Sequence, residues 1–242
     1  MRSRWYAAAV ALTGAAGLTL GPGSAAQPPD PKDKPPAGLP EAVLRQTRPI
    51  FDGKTLDGWV QTPADSWEVK DGAMASRGVG RGVIYTRDDY SKYRLVFVMR
   101  HVSGKPDHQA CVLVFCTRPE EGKKPLDALG GIQFQPPNGG HWDYRPGQNK
   151  AGAGFTRLLR PNFKPAEWCQ VELLVDATAG AARMAVAQPV GAKAVEVLGF
   201  KVPEAGKAGP IAWQMHNKGL FDEYRDVRIE VDPKSDELIT TR

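Results

Sequence analysis

Apolar residues recur along this chain mostly with a period of two, the repeat of a strand that keeps one face in a core. The helical period is almost absent; only Glu41–Gln46 has the makings of one turn. Trp67-Glu68-Val69-Lys70 alternates cleanly, and Asp71-Gly72 then predicts a two-residue hairpin turn into Ala73-Met74-Ala75. Residues 93–100 set Leu95, Phe97 and Met99 on one side. Residues 109–116 are apolar on both sides, the mark of a central strand covered above and below. Further strands are expected at 83–86, 131–135, 168–176, 182–188, 194–198, 211–216 and 224–231, each bounded by Gly, Pro, Asn or Asp. Many short strands, no intervening helices and no internal repeat predict an all-β fold: two packed antiparallel sheets in a jelly-roll sandwich.

The ends of the chain read differently. Arg2 and Arg4 precede an uncharged apolar run over 5–20, and small residues lead into Ala25-Ala26-Gln27. This pattern predicts a signal peptide over 1–26, with Ser24 and Ala26 at the small-residue positions before the cut and Gln27 as the mature N-terminus. An uncleaved anchor is the other reading. It is disfavoured because the run is short and glycine-interrupted against a span of about 20 apolar residues. No second stretch of that length follows, so no membrane span is expected after cleavage. Residues 27–40 hold six prolines in fourteen positions, which predicts an extended, solvated spacer. The folded domain is then expected over 41–232, with 233–242 as a polar tail. Periplasm and cell exterior stay open as destinations, and so does the oligomeric state.

The net charge of +5 falls once the leader is removed, leaving 30 basic against 27 acidic residues. The basic residues are scattered, so no nucleic-acid footprint is expected. Cys111, Cys116 and Cys169 make an odd count for an oxidising compartment, and at least one is therefore expected free. Five residues apart in one strand, Cys111 and Cys116 are expected on opposite sides and unable to pair. No cysteine–histidine spacing suggests structural zinc.

Two connections interrupt the strand pattern. Residues 117–130 are long and charged, a surface excursion. Residues 136–155 gather His, Trp, Tyr, Arg, Asp and Asn between glycines and prolines, the composition of a functional loop on a rigid scaffold. In the strand at 211–216, alternation puts Ile211, Trp213 and Met215 on one face and Ala212, Gln214 and His216 on the other. If the first set packs the core, Gln214 and His216 share an outward face. His216 then has two readings: a side chain satisfying the backbone at a strand end, or a functional group beside Gln214, Asn217 and Glu223.

Phe51-Asp52-Gly53-Lys54-Thr55-Leu56-Asp57-Gly58-Trp59, followed by Trp67-Glu68-Val69-Lys70-Asp71-Gly72, resembles the opening of the 3-keto-disaccharide hydrolase domain family. Gly209-Pro210-Ile211-Ala212-Trp213-Gln214-Met215-His216-Asn217, then Glu223-Tyr224-Arg225-Asp226-Val227-Arg228-Ile229, is similar to its closing strands. The resemblance implies a concanavalin A-like jelly roll, export, and action on glycosides oxidised to a ketone at C3. The opening motif itself reads as turns and tryptophan anchors. Gln133 resembles the family's glutamine in the equivalent strand, whereas Gly131 stands where many relatives carry a carboxylate.

Ketone chemistry explains how such a substrate breaks. The C3 carbonyl acidifies the C2 proton, a base removes it, the C1 oxygen leaves, and water adds back. His216 is the expected base, Arg145 or a bound cation the enolate stabiliser, and Glu223 the acid or an orienting group. Gln133, Gln214 and Asn217 are expected to bind substrate, and Trp142 and Tyr144 to present flat faces to an oligosaccharide or glycoside, with Asp143, Arg145 and Asn138 on its hydroxyls. One of the two aromatics is expected to pin the loop instead. No cofactor motif is present. A divalent cation at His141, Asp143 and His216 stays open, since their spacing does not require one. The two-carboxylate glycosidase mechanism is disfavoured, because no strand spaces two acids on one face. The rival readings are a glycan-binding module on the same sandwich, favoured by Gly131 in place of an acid, and a purely structural domain.

Overall fold

Fifteen strands form the framework of a computed structural model that describes residues 37–104, 111–120, 129–159 and 161–242. The expected signal peptide, and the spacer up to residue 36, lie outside the described residues. After helix α1 (Glu41–Gln46) come β1 (Arg48–Pro49), β2 (Trp59–Thr62), β3 (Trp67–Lys70), β4 (Ala73–Ser76), β5 (Gly82–Thr86), β6 (Lys92–Ser103) and β7 (Cys111–Val114). The chain continues through β8 (Ile132–Gln135), β9 (Gly140–Asp143), β10 (Phe155–Arg157), β11 (Cys169–Asp176), β12 (Ala181–Ala187), β13 (Val195–Lys201), β14 (Ala212–Met215) and β15 (Phe221–Val231). They form two antiparallel sheets. One has nine strands in the order β10-β13-β12-β11-β6-β15-β4-β3 with β1 also on β15; the other has six, β2-β5-β14-β7-β8-β9. This is the expected sandwich. Among the described residues no helix is long and apolar enough to cross a membrane.

Alternation decides what lies between the sheets. Leu95, Phe97 and Met99 from β6, Val171 and Leu173 from β11, and Trp213 and Met215 from β14 are completely buried in one cluster. Trp213 sits at its centre, with ring centroids 5.1 Å from Trp59, 5.4 Å from Tyr224 and 5.6 Å from Phe97. Each such aromatic pair adds about 0.5–1.5 kcal/mol beyond area burial. The β3–β4 hairpin turns as predicted, with Asp71 (φ 50°) and Gly72 (φ 76°) both in the left-handed region that this turn type requires. Strand β7 is central, between β14 and β8, and all four of its residues are buried.

Three expectations need correction. Cys111 and Cys116 do not face opposite sides; both join Leu113 and Leu129 in a cluster on the outer side of the six-stranded sheet. Phe115 takes φ 55°, which breaks the alternation, so Val114 and Phe115 both point into the main core and Cys116 returns to the side of Cys111. All three cysteines are buried thiols outside any disulfide, and burial pushes the Cys169 thiol up to about 12 and the Cys116 thiol higher still, so neither of these two is a reactive thiolate at neutral pH. Second, the loop expected over 136–155 contains β9, a four-residue strand that pairs with β8 across the turn at 136–139. Glycines and prolines on both sides hide so short a strand from pattern reading. Third, the tail at 233–242 is docked rather than free. Leu238, Ile239 and Thr240 are buried, and Glu172 on β11 accepts the Ile239 and Thr240 backbone amides at 3.0 and 2.9 Å.

Candidate functional site

The outer face of the six-stranded sheet carries the polar residues that alternation turns away from the core. On β14 the outward residues are the apolar Ala212 and the polar Gln214, with His216 just past the strand end, as expected. Register places Gln214 opposite Cys111 on β7, and Leu113 opposite Gln133 on β8. Cys111 is small, so the amides on either side of β7 meet above it. Gln135 Nε2 donates to Gln133 Oε1 at 2.7 Å, and Gln133 Nε2 donates to Gln214 Oε1 at 2.5 Å. Gln214 is 1% exposed; it holds Gln133 from below, while Gln133 and Gln135 reach an open cleft of about 430 Å³.

Around that cleft stand Trp142 and Tyr144, whose rings lie 6.3 Å apart and 44° from parallel, together with His141, Arg157 and His216. Both aromatics expected at the site therefore face the cleft. Tyr144 also packs on the Cys111–Leu129 cluster, and Trp142 Nε1 donates to Asn149 Oδ1 at 3.0 Å. The 136–139 turn ends at Gly139 (φ 77°), a left-handed position that glycine fills without strain, and its carbonyl organises the far wall. It accepts from Arg157 Nη2 at 2.9 Å and from His141 Nδ1 at 3.3 Å. Because a carbonyl only accepts, the His141 proton sits on Nδ1 and the lone pair on Nε2. The imidazole also stacks on Phe155, with centroids 4.2 Å apart. Burial, reinforced by the Arg157 cation, lowers the His141 pKa below its ordinary value, so the ring is neutral at neutral pH.

Several expected site residues are elsewhere. Arg145 is folded back on Asp143, with Nη2 2.7 Å from Oδ2 and Nε within 3.2 Å of both carboxylate oxygens; neither residue lines the cleft. Two residues apart across the end of β9, they neutralise each other. Glu223 is on β15 of the opposite sheet, paired with Arg100 at 2.7 Å, so it cannot act beside His216. Its nearness to His216 in sequence is undone by the crossing from β14 to β15. Asn138 is used in both directions to hold Phe163. Asn217 follows His216 but does not line the cleft. A Cβ on Gly131 would stand 2.7 Å from both Cys116 Sγ and the Val114 carbonyl, so the cysteine thiol fills the space of any side chain there. Among the described residues no three of His, Cys, Asp and Glu group to hold a metal, and the cleft lining has no carboxylate. What the sequence hid is Arg157. It arrives from β10, an edge strand of the other sheet, and no local pattern marks it.

Gly140 lies under the Gln135 side chain, where a Cβ would come within 2.1 Å of Oε1. Gly140→Ala is therefore expected to swing Gln135 off Gln133 and weaken ligand binding. Folding stability should change by about 1 kcal/mol, because the Gln135 side chain can swing away while its Cβ, 3.0 Å from the added methyl, must give by only a few tenths of an ångström. Calorimetric titration beside a thermal melt checks it, and unchanged affinity would refute it.

Residues 46–230 match the family model described as a 3-keto-alpha-glucoside-1,2-lyase-like domain. The chain belongs to this family. It is the family whose opening and closing motifs the sequence carries, and the match spans both sheets of the sandwich. Among solved structures, the lyase-like domain is similar to two proteins from Parabacteroides distasonis ATCC 8503, each described as a glycosyl hydrolase candidate. One has a TM-score of 0.56 at 16% identity, covering 81% of this chain and 99% of that one. The other has a TM-score of 0.53 at 15% identity, covering 76% and 98%. The exoplasmic/lumenal domain of VIP36, in a Ca2+/Man3GlcNAc-bound form, follows the same fold with a TM-score of 0.50 at 9% identity over 82% of this chain and 92% of that one. At these identities the likeness is one of fold. No curated protein matches the chain.

Proposed function

We propose that this domain cleaves glycosides of 3-keto-sugars by elimination across C1 and C2, followed by hydration. The observation that carries this reading is the cleft itself: imidazoles and a guanidinium around a floor of hydrogen-bonded glutamines, with Trp142 and Tyr144 as a platform for a sugar face. Elimination beside a ketone needs a base, a cation for the enolate oxygen and an acid for the leaving group. His141 and His216 supply the proton transfers, and Arg157 takes the enolate role expected of Arg145. A carboxylate pair, the requirement of ordinary glycosidases, is not part of this scheme.

The test is turnover of a 3-keto-glucoside with a chromogenic aglycone, with and without EDTA. Release of the aglycone is expected, and EDTA sensitivity would add the divalent cation left open by the sequence. No release, with saturable binding of the unoxidised glycan that is lost in Trp142→Ala, would replace the enzyme with a glycan-binding module. Export belongs to the same proposal and rests on the residue pattern of 1–26. Protein recovered from outside the inner membrane should begin at Gln27, read by N-terminal sequencing. A mature protein that retains Met1 would refute cleavage.

A further inference from the structure

Which imidazole takes the C2 proton is legible in the wall of the cleft. In an α-glucoside chair the C2 hydrogen and the C1 oxygen are both axial and point to opposite faces of the ring. One residue cannot serve both; a base and an acid must approach from opposite sides. His216 follows β14 and His141 lies on β9, with β7 and β8 between them. Three strand spacings put their backbones roughly 14 Å apart across the sheet, and both residues line the one cleft.

We infer that His141 is the base that removes the C2 proton and His216 the acid that protonates the departing C1 oxygen, an assignment that rests on the eliminative reading of this site. Three contacts prepare His141 for that task. The Gly139 carbonyl holds the proton on Nδ1 and leaves the Nε2 lone pair free to accept another. Phe155 stacks on the ring and fixes its plane. Arg157, bound to the same Gly139 carbonyl, brings its charge to the place where the C3 oxygen turns anionic. Phe134, its cross-strand partner on β8, adds no charge, so among the described residues Arg157 is the charged group that faces His141.

The electrons and protons balance. Nε2 of His141 takes the C2 proton, and the C–H pair forms the C2–C3 double bond while the carbonyl pair moves to O3. That pair then returns, C1=C2 forms, and the C1–O pair leaves with the aglycone oxygen, which takes a proton from protonated His216. In hydration, water gives its proton to His216, hydroxide adds to C1, and C2 recovers its proton from His141. The sum is glycoside and water to free 3-keto-sugar and alcohol.

A probe without a leaving group separates the two roles. The 3-keto derivative of 1,5-anhydroglucitol has an acidic C2 hydrogen but no aglycone to expel from C1, so in D2O exchange at C2 reports proton abstraction without glycoside cleavage, by NMR. Wild-type protein is expected to exchange C2–H. His141→Gln should slow that exchange by about 10²–10⁴-fold. His216→Gln should keep it while losing cleavage of an alkyl 3-keto-glucoside. In wild-type protein the exchange rate should rise with pH through a midpoint below the ordinary histidine value, and Arg157→Gln should move that midpoint upward. A merely structural His141 would not produce that shift. Exchange that survives His141→Gln and is lost in His216→Gln would overturn the assignment by reversing it. Exchange and cleavage that survive both His141→Gln and His216→Gln would overturn the assignment while leaving the eliminative reading to other groups, and cleavage of 3-keto-glucoside by a wild-type protein that exchanges nothing would overturn the eliminative reading itself. Failure of wild-type protein to cleave or exchange at all would overturn both.

Discussion

Arg94→Ala should lower the unfolding free energy by about 3–5 kcal/mol, the cost of leaving a buried carboxylate without its cation. Arg94 and Glu172 lie on the outer face of the nine-stranded sheet with side chains 1% and 0% exposed, and their head groups are directly paired. Arg94 Nε also meets Glu230 at 2.9 Å, while Nη1 and Nη2 donate to the carbonyls of Glu237 and Ser235 at 2.7 and 3.2 Å. On its other side Glu172 accepts the Ile239 and Thr240 amides and the Thr240 hydroxyl. The network thus fastens residues 235–240 over the sheet, and those residues keep water from the pair. Removing Arg94 strands Glu172 and loosens the strap together. Urea unfolding gives the number, and deletion of 233–242 should cost a comparable amount by taking three donors from Glu172. The double variant should lose less than the two separate losses added, because both act on one network. Wild-type stability in Arg94→Ala would show that the pair contributes nothing.

His216→Ala should reduce kcat/KM on an alkyl 3-keto-glucoside by about 10²–10⁴-fold, the usual range for loss of a general acid or base. At 1.36 kcal/mol per tenfold, that is roughly 2.7–5.4 kcal/mol of transition-state stabilisation. The fold should survive the change. His216 is half-buried on the cleft side, whereas the core residues of the same strand, Trp213 and Met215, are untouched. An unaltered melting temperature with collapsed turnover is the expected pair of results. Unaltered turnover would remove His216 from the chemistry and return it to the strand-end role open to it from sequence.

The fold was almost entirely legible because its signals are local. A strand with one buried face shows a period of two within its own residues, and a two-residue hairpin turn names itself through Asp71-Gly72. The exceptions are local as well. Phe115 at positive φ breaks an alternation that the sequence shows as unbroken, and β9 is too short to stand out between Gly139 and Tyr144. The candidate site was legible only in part. Gln214, His216, Trp142 and Tyr144 follow from strand faces and loop composition, and Gln133 from the family resemblance. Arg145 and Glu223 do not, because a charged residue's availability depends on its partner, and Asp143 and Arg100 already hold theirs.

Alternation along the chain thus suffices for a two-sheet sandwich with an aromatic core and for the polar face that ends at His216, since each rests on residues adjacent in sequence. Pairings between distant strands are another matter. Gln133 meets Gln214 across 81 residues, and Arg157 reaches the Gly139 carbonyl from the edge of the opposite sheet. The polar tail turns into a buried strap because Arg94, Glu172 and Glu230 converge from three strands. Hydrogen bonds and ion pairs act over a few ångströms in space whatever the separation in sequence, so the folded arrangement alone settles which charges are spent on structure and which remain to face the cleft.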